Sequence, residues 1–257
     1  MTMVDIGADG QKFILVFFRV ASILWLLPLF SSMAISVAYK AGLSLILSFL
    51  LFDLVSVNQT LGADPYLMAL LIVKEVFIGL TISFLVRVLF AMVYAAGEIS
   101  ALQTGFAFAR FMDPVSMTQV SVLESFQNIL TIMVFFAIDA HHVLLKSMVL
   151  SFRELPIGTA VLNPQLMQHV GSLAGRIFSV GLRIGAPVIV TLFIVDLALG
   201  LLSRMVPQVN VLVEGMPLKI LITFVILSFS LGATVTGIGN ILKGTDMEVL
   251  KLMRLMG

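Results

Sequence analysis

Three groupings of side chains in this 257-residue sequence have the residue types that chemistry needs. The first is Asp139 with His141 and His142, donor types that hold zinc or another transition metal. Neighbouring histidines on a helix point to different sides, and no second cluster completes a four-ligand shell, so no metal is expected. The second is Glu98 with Asp113, a lone carboxylate pair that offers no division into acid and base. The third is Asp53, Glu75, Asp139 and Asp196, spread through apolar sequence, where carboxylates can relay protons or ions in a secondary carrier. Such carriers show internal repeats and helices broken at the midplane. No repeat of that type is found. The simpler reading pairs these acids with Lys40, Lys74, Arg87 or Arg183, or with partner subunits. No P-loop, nucleophile elbow or HExxH occurs, and Gly237-Ile238-Gly239 lacks the strand that a nucleotide site requires. Cysteine is absent, which excludes disulfides, thiolate nucleophiles and cysteine zinc sites. No enzyme activity and no cofactor are expected.

The elements that would position these groups are apolar. The chain is 60% hydrophobic and 11% charged, with mean hydropathy +1.14. Soluble domains average about 45–50% apolar and about 25% charged residues. Fifteen basic residues balance fourteen acidic ones without a basic run, so no nucleic-acid footprint is present. Six apolar blocks stand out: Phe13–Tyr39, Ala41–Val57, Tyr66–Ala96, Val120–Leu150, Phe178–Ser203 and Leu218–Leu242. A membrane-spanning helix needs about 20 mostly apolar residues. Only two mostly apolar runs, Val20–Tyr39 and Ile220–Leu242, reach that length without a charge. Each charge at a bilayer centre costs about 2.5–3.5 kcal/mol on insertion scales. Charges within the blocks therefore call for a polar interior or a protein partner. The acidic lead of Asp5 and Asp9 before Lys12, and the long apolar run behind it, do not fit a cleavable signal. Lys243, Lys251 and Arg254 lean the tail toward the cytoplasmic side.

Pro28 and Pro187 fall inside blocks, where proline bends or interrupts a helix. Gly171 with Gly175, and Gly181 with Gly185, have the spacing that lets helix backbones approach closely. Arg176 and Arg183 share a face of that helix. Two connecting segments are unusual. Gly97–Ser116 holds Gly105, Phe106, Phe108, Phe111 and Met112 before the turn pair Asp113-Pro114. An apolar loop of this kind is either a buried or re-entrant connection or a plug, since a hydrophobic constriction closes a pore by dewetting. Gly200–Lys219, punctuated by Pro207, Gly215 and Pro217, reads as a helix–turn–helix corner with a polar tip. There Arg204 could satisfy terminal carbonyls.

The stretch Leu197–Gln208, reading LALGLLSRMVPQ, leads through Val209-Asn210-Val211 to Gly215-Met216-Pro217-Leu218-Lys219. It resembles the signature of the FliR/SctT family of type III secretion export-gate proteins. Arg204, Pro207, Gln208, Gly215 and Pro217 are the matching positions. Arg19, Pro28-Leu29-Phe30 and Lys40 resemble the family's N-terminal region. Glu75 with Gly79 resembles its E-x-x-x-G. Gly97-Glu98 through Gln103, Gly105 and Phe111-Met112-Asp113-Pro114 resembles its central loop, and Leu155-Pro156-Ile157-Gly158 a later segment. Order and spacing match over nearly the whole chain.

The resemblance implies an all-α, integral-membrane-type protein of about six long, partly broken apolar helices, arranged as slanted hairpins within a hetero-oligomeric helical export gate. It implies a single copy of this chain, several copies each of FliP and FliQ, an associated FlhB, and unfolded flagellar proteins as cargo. It places the assembly in the bacterial inner membrane and flagellar basal body, partly at periplasmic level, in contact with lipid. Residues 1–165 would form a FliP-like part and 166–257 a FliQ-like helical hairpin. The central loop, about residues 103–116, would plug the channel with Phe106, Phe108, Phe111 and Met112. The virulence-type gate subunit is the related alternative. Leu155–Gly158 and the PQVNV corner look more like the flagellar branch.

Overall fold

A computed structural model describes residues 6–30, 35–55, 64–105, 122–161, 163–206 and 211–257, excepting the side chains of 6–8 and 211–213. Among these residues all regular structure is helical, as expected for an all-α protein. The helices are α1 (Ile6–Leu26), α2 (Val37–Leu51), α3 (Pro65–Thr104) and α4 (Val122–Ala137), then α5 (Ala140–Glu154), α6 (Pro164–Met205), α7 (Val211–Lys243) and α8 (Thr245–Met256). A short 3-10 turn, Phe52–Leu54, extends α2.

Helix α2 shows what kind of solvent this chain meets. Ser36 caps it by accepting the Tyr39 N–H. Its buried face carries Lys40, Ser44, Ser48 and Leu51, while Tyr39, Ile46, Phe49 and Leu50 point outward. The hidden serines are satisfied locally: Ser44 donates to the Lys40 carbonyl (2.8 Å) and Ser48 to that of Ser44 (2.6 Å). Apolar-out with polar-in is unfavourable in water and favourable where lipid or another protein covers the outside. Four segments are long and apolar enough to cross a membrane: Val37–Leu54, Pro65–Thr104, Pro164–Met205 and Glu214–Met256. The interrupted pair α4–α5 makes a fifth if it counts as one span. The protein is membrane-embedded.

Two expected features differ. The charge-free run Val20–Tyr39 is not one crossing, because α1 stops at Leu26 and Pro28 lies in the turn that follows. The backbone before a proline is biased away from the helical region, so Pro28 ends a helix here instead of kinking it. Pro187, by contrast, sits within the 42-residue α6. The fourth block is interrupted without proline or glycine. Asp139 takes a left-handed backbone (φ 56, ψ 27) between α4 and α5. Aspartate tolerates that region better than most side chains.

The helices sort into two compact units that interleave along the chain. The first holds Met1–Val88, Asp139–Ala174 and Lys243–Gly257. Its core is built on Leu15, Val16, Val20 and Ile23 of α1 with Ile78, Ile82 and Leu85 of α3. Val249, Leu252, Met253 and Met256 of α8 are buried too, and the Met256 carbonyl accepts the Val161 N–H (2.9 Å). The second holds Leu89–Ile138 and Gly175–Leu242. Here Met92, Val93 and Ala96 of α3 are buried, as are Leu123 and Phe135 of α4. The Gly181–Gly185 pair of α6 meets the backbone of α3: a Cβ at Gly181 would lie 2.9 Å from the Ala95 Cβ and 3.2 Å from the Met92 carbonyl. Gly171 and Gly175 have no neighbour within 4 Å at the corresponding position. Among the described residues, only one of the two small-residue pairs packs against another helix.

In the first unit α1 lies close against α3. A Cβ on Gly79 would fall 1.9 Å from the Ser22 Oγ and 2.7 Å from the Arg19 carbonyl. One turn on, Ser83 donates to the Ile23 carbonyl at 2.5 Å, near the C-terminal end of α1. Replacing Gly79 with Ala is expected to push the two helices apart and cost about 1–3 kcal/mol. Gly42→Ala, in a helix interior with nothing within 4 Å, is expected to be neutral or to stabilise by up to about 1 kcal/mol. Thermal unfolding of the two variants in detergent measures the contrast.

Candidate functional site

Two places hold the residues singled out by sequence. The first is a buried ionic clasp in the first unit. Arg19 and Glu75 are both fully buried, 56 positions apart in sequence. The Arg19 Nε donates to Glu75 Oε2 at 2.5 Å. Arg19 Nη1 donates to the carbonyls of Ser151 (2.8 Å) and Leu155 (2.9 Å), which close the C-terminal end of α5. A cation at a helix C-terminus is favoured by the helix dipole and supplies donors that the last turn lacks. The guanidinium also stacks over the Phe152 ring at 4.3 Å. Glu75 Oε1 accepts the Gly158 N–H (3.0 Å), and Lys74 donates to the Gly158 carbonyl (2.9 Å). Gly158 has φ +82, a backbone region where a side chain is strained.

Three separate motif segments thus meet: Arg19, Glu75 with Gly79, and Leu155–Gly158. The sequence alone suggests Lys40, Lys74, Arg87, Arg183 or a partner subunit as the counter-ion of Glu75. The structure pairs it with Arg19. The reason is geometric, since the planar fork of a guanidinium is preorganised to bind a carboxylate on one edge and helix-end carbonyls on another. Of the four acids considered as a relay, Glu75 and Asp196 are held in ion pairs, whereas Asp53 is exposed without a partner among the described residues. Asp196 pairs with Lys219 in the second unit, again a partner the sequence did not suggest.

The second place lies in the second unit, where α3 ends. Gly105 follows the last helical residue with φ +92, and its N–H donates to the Leu102 carbonyl (3.3 Å). Beside it Thr104 and Thr223 share a hydrogen bond of 3.1 Å. A cavity of about 440 Å³ opens here, lined by Gln103, Thr104 and Gly105 with the Asp196–Lys219 pair and Met216. Gly215 packs against Leu199, 2.9 Å from where its Cβ would stand. Pro217 lies inside α7, near its start. Gln103–Gly105 is the start of the segment expected to plug the channel. Phe106, Phe108, Phe111, Met112, Asp113 and Pro114 lie outside the described residues, as do Pro207 and Gln208. Glu98 is exposed on α3, and Arg204 is exposed near the end of α6. Arg204 closes no carbonyls among the described residues, contrary to expectation. A long helical side chain leans toward the turn before it, away from the carbonyls at the helix end.

The Asp139, His141 and His142 donor atoms lie within 4.8 Å of one another, and the two imidazoles are 4.2 Å apart between centroids. The rings are therefore together, not on different sides. They sit in the first turn of α5, at the positive end of its dipole, which disfavours a cation. Sequence reasoning missed how Asp139 brings them together, because its left-handed backbone has no glycine to announce it.

Breaking the clasp from one side is expected to leave a buried charge uncompensated. Arg19→Met or Glu75→Leu alone should cost about 3–5 kcal/mol, while the double variant recovers much of the loss. Thermal unfolding of the three variants, read as a double-mutant cycle, gives the coupling.

Comparison with known proteins brings these positions under one heading. The family described as bacterial export proteins, family 1, matches residues 11–245. The flagellar biosynthetic protein FliR of Bacillus subtilis (strain 168) is 29% identical over 248 residues, 95% of each chain. FliR of Escherichia coli (strain K12) is 32% identical over 202 residues, 79% of this chain and 77% of that one. FliR of Aquifex aeolicus (strain VF5) is 28% identical over 221 residues, 85% and 84% of the two chains. With the match spanning both units and the clasp residues Arg19, Glu75 and Gly158 inside it, the chain belongs to the bacterial export proteins of family 1, the FliR family.

Proposed function

We propose that this chain is a core subunit of the flagellar type III export gate, where it helps form and seal the channel for unfolded flagellar subunits. The match to the export family over residues 11–245 is the observation that carries this reading. The relatives named above are all flagellar, which favours the flagellar over the virulence-type system. A carrier that moves ions through its own carboxylates fits less well, because Glu75 and Asp196 are held in ion pairs. The family is one of export components, not of enzymes.

In this reading one copy of the chain packs with several copies of FliP and FliQ, and FlhB joins the assembly in the inner membrane. The outward apolar side chains of the last two long helices support such packing: Phe178, Phe193 and Leu201 of α6, with Leu221 and Phe229 of α7. Residues 1–165 correspond to the FliP-like part and 166–257 to the FliQ-like hairpin. Helix lengths support a seat partly beyond the bilayer. At 1.5 Å per residue α3 is about 60 Å long, and the hydrocarbon core about 30 Å thick.

The central loop, about residues 103–116, is the seal. Phenylalanine and methionine side chains exclude water and ions yet deform around a passing polypeptide. Copurification with FliP- and FliQ-like chains tests the assembly. A chain that runs alone or as a homo-oligomer would fit a carrier instead. Replacing Phe108 and Phe111 by Gly is expected to raise ion leakage through the assembled gate severalfold, read as conductance in planar bilayers. Unchanged conductance would remove the plug role.

A further inference from the structure

The first unit carries a groove that neither the clasp nor the export reading uses. It has a volume of about 420 Å³ and is open along one side. Phe77, Leu80 and Phe84 of α3 form one wall, and Leu166, Met167 and Val170 at the start of α6 form the other. Almost no polar surface lines it. The one hydroxyl present, on Thr81, is turned into its own helix and donates to the Phe77 carbonyl at 2.8 Å.

A charge stands at one end of this groove. Arg87 follows Phe84 by three residues and Leu80 by seven, so all three lie on the same face of α3. A long side chain on a helix leans toward the turn before it, which here is the turn of Phe84. Arg87 is exposed, and among the described residues it makes no hydrogen bond or ion pair. A bare guanidinium in an apolar helix of a membrane protein is costly until an anion meets it. From Phe77 to Arg87 the helix rises about 15 Å. The ligand that matches is therefore apolar over about 15 Å and anionic at one end.

We infer that this groove binds an anionic phospholipid, with the phosphate at Arg87 and an acyl chain laid over Phe84, Leu80 and Phe77. The charge pattern gives the site its orientation. It also fixes a depth, because a lipid phosphate marks the bilayer surface. From Pro65 to Arg87 the helix rises about 33 Å, the thickness of one hydrocarbon core. The charges within that stretch, Lys74 and Glu75, are turned inward onto Gly158 and Arg19. Arg87 is then the first charge on α3 that faces outward, and it does so at headgroup height.

Native mass spectrometry on the full-length chain in mild detergent tests the site. Phosphatidylglycerol and phosphatidylcholine are added in turn, and retained lipid is counted. The unmodified chain is expected to hold one phosphatidylglycerol in preference to phosphatidylcholine. In Arg87→Met the preference should fall about fivefold, the share one basic side chain contributes at an anionic lipid surface. Arg87→Lys should keep most of it. Leu80→Trp, which fills the groove, should lower retention of both lipids. Equal retention of the two lipids by the unmodified chain would overturn the proposal without any variant. So would an Arg87→Met chain that keeps its lipid but no longer copurifies with another subunit, since that outcome assigns Arg87 to a partner's carboxylate.

Discussion

A guanidinium and a carboxylate, hidden from any solvent, hold the first unit together. Removing two charges from water costs several kcal/mol per ion, and the cost is recovered only when geometry is good and the remaining donors and acceptors are used. Arg19 and Glu75 meet most of that condition by engaging the end of α5 and the turn at Gly158 as well as each other. The neighbouring details follow from it. Gly79 must lack a side chain so that α1 can lie close enough for the pair to form. Gly158 must be glycine so that its N–H can face the carboxylate. Phe152 covers the flat face of the guanidinium. One Arg19 nitrogen, Nη2, has no hydrogen bond among the described residues, and stacking on that ring is its compensation.

The same logic separates the two kinds of charge in this chain. Charges with an internal role are buried or paired: Arg19 with Glu75, Lys219 with Asp196, Lys74 on a carbonyl. His169 is likewise joined to Glu248 of α8 at 3.1 Å, which ties the C-terminal helix to the start of α6. Arg87 and Arg183 remain outside this scheme, exposed on long apolar helices. Apolar side chains turned outward, with exposed cations among them, describe a protein whose outer surface is completed by something else.

How much of this was legible in the sequence depends on distance along the chain. Local features were readable. The helical class followed from the long apolar blocks, and the close approach at Gly181–Gly185 from its small-residue pattern, whereas nothing in the sequence marked the closer approach at Gly79. Pairings were not readable, because nothing local says that Arg19 will find a carboxylate 56 positions away instead of one nearby. Pro28 and Pro187 look alike as residues. One ends a helix and the other is absorbed in one, a choice made by tertiary packing. The interruption at Asp139 had no signal at all, since an aspartate in the left-handed region leaves no glycine or proline to read. The resemblance supplied the family, and the packing of three motif segments supplies a physical reason why they occur together.

The length of α6 has a consequence for how such a protein takes its position. Transmembrane helices usually tilt by 0–40° to match their apolar length to the bilayer. The apolar block of α6, Phe178–Ser203, is about 39 Å long and fits a core of about 30 Å at a tilt of about 40°. The residues before it, with Gln165, Gln168, His169 and Arg176, add about 21 Å that lipid does not need to cover. A thicker or thinner bilayer is met by a change of tilt in the apolar part, and the polar extension swings with it. Neighbours that hold this helix at one tilt therefore also fix how far its polar end stands from the membrane.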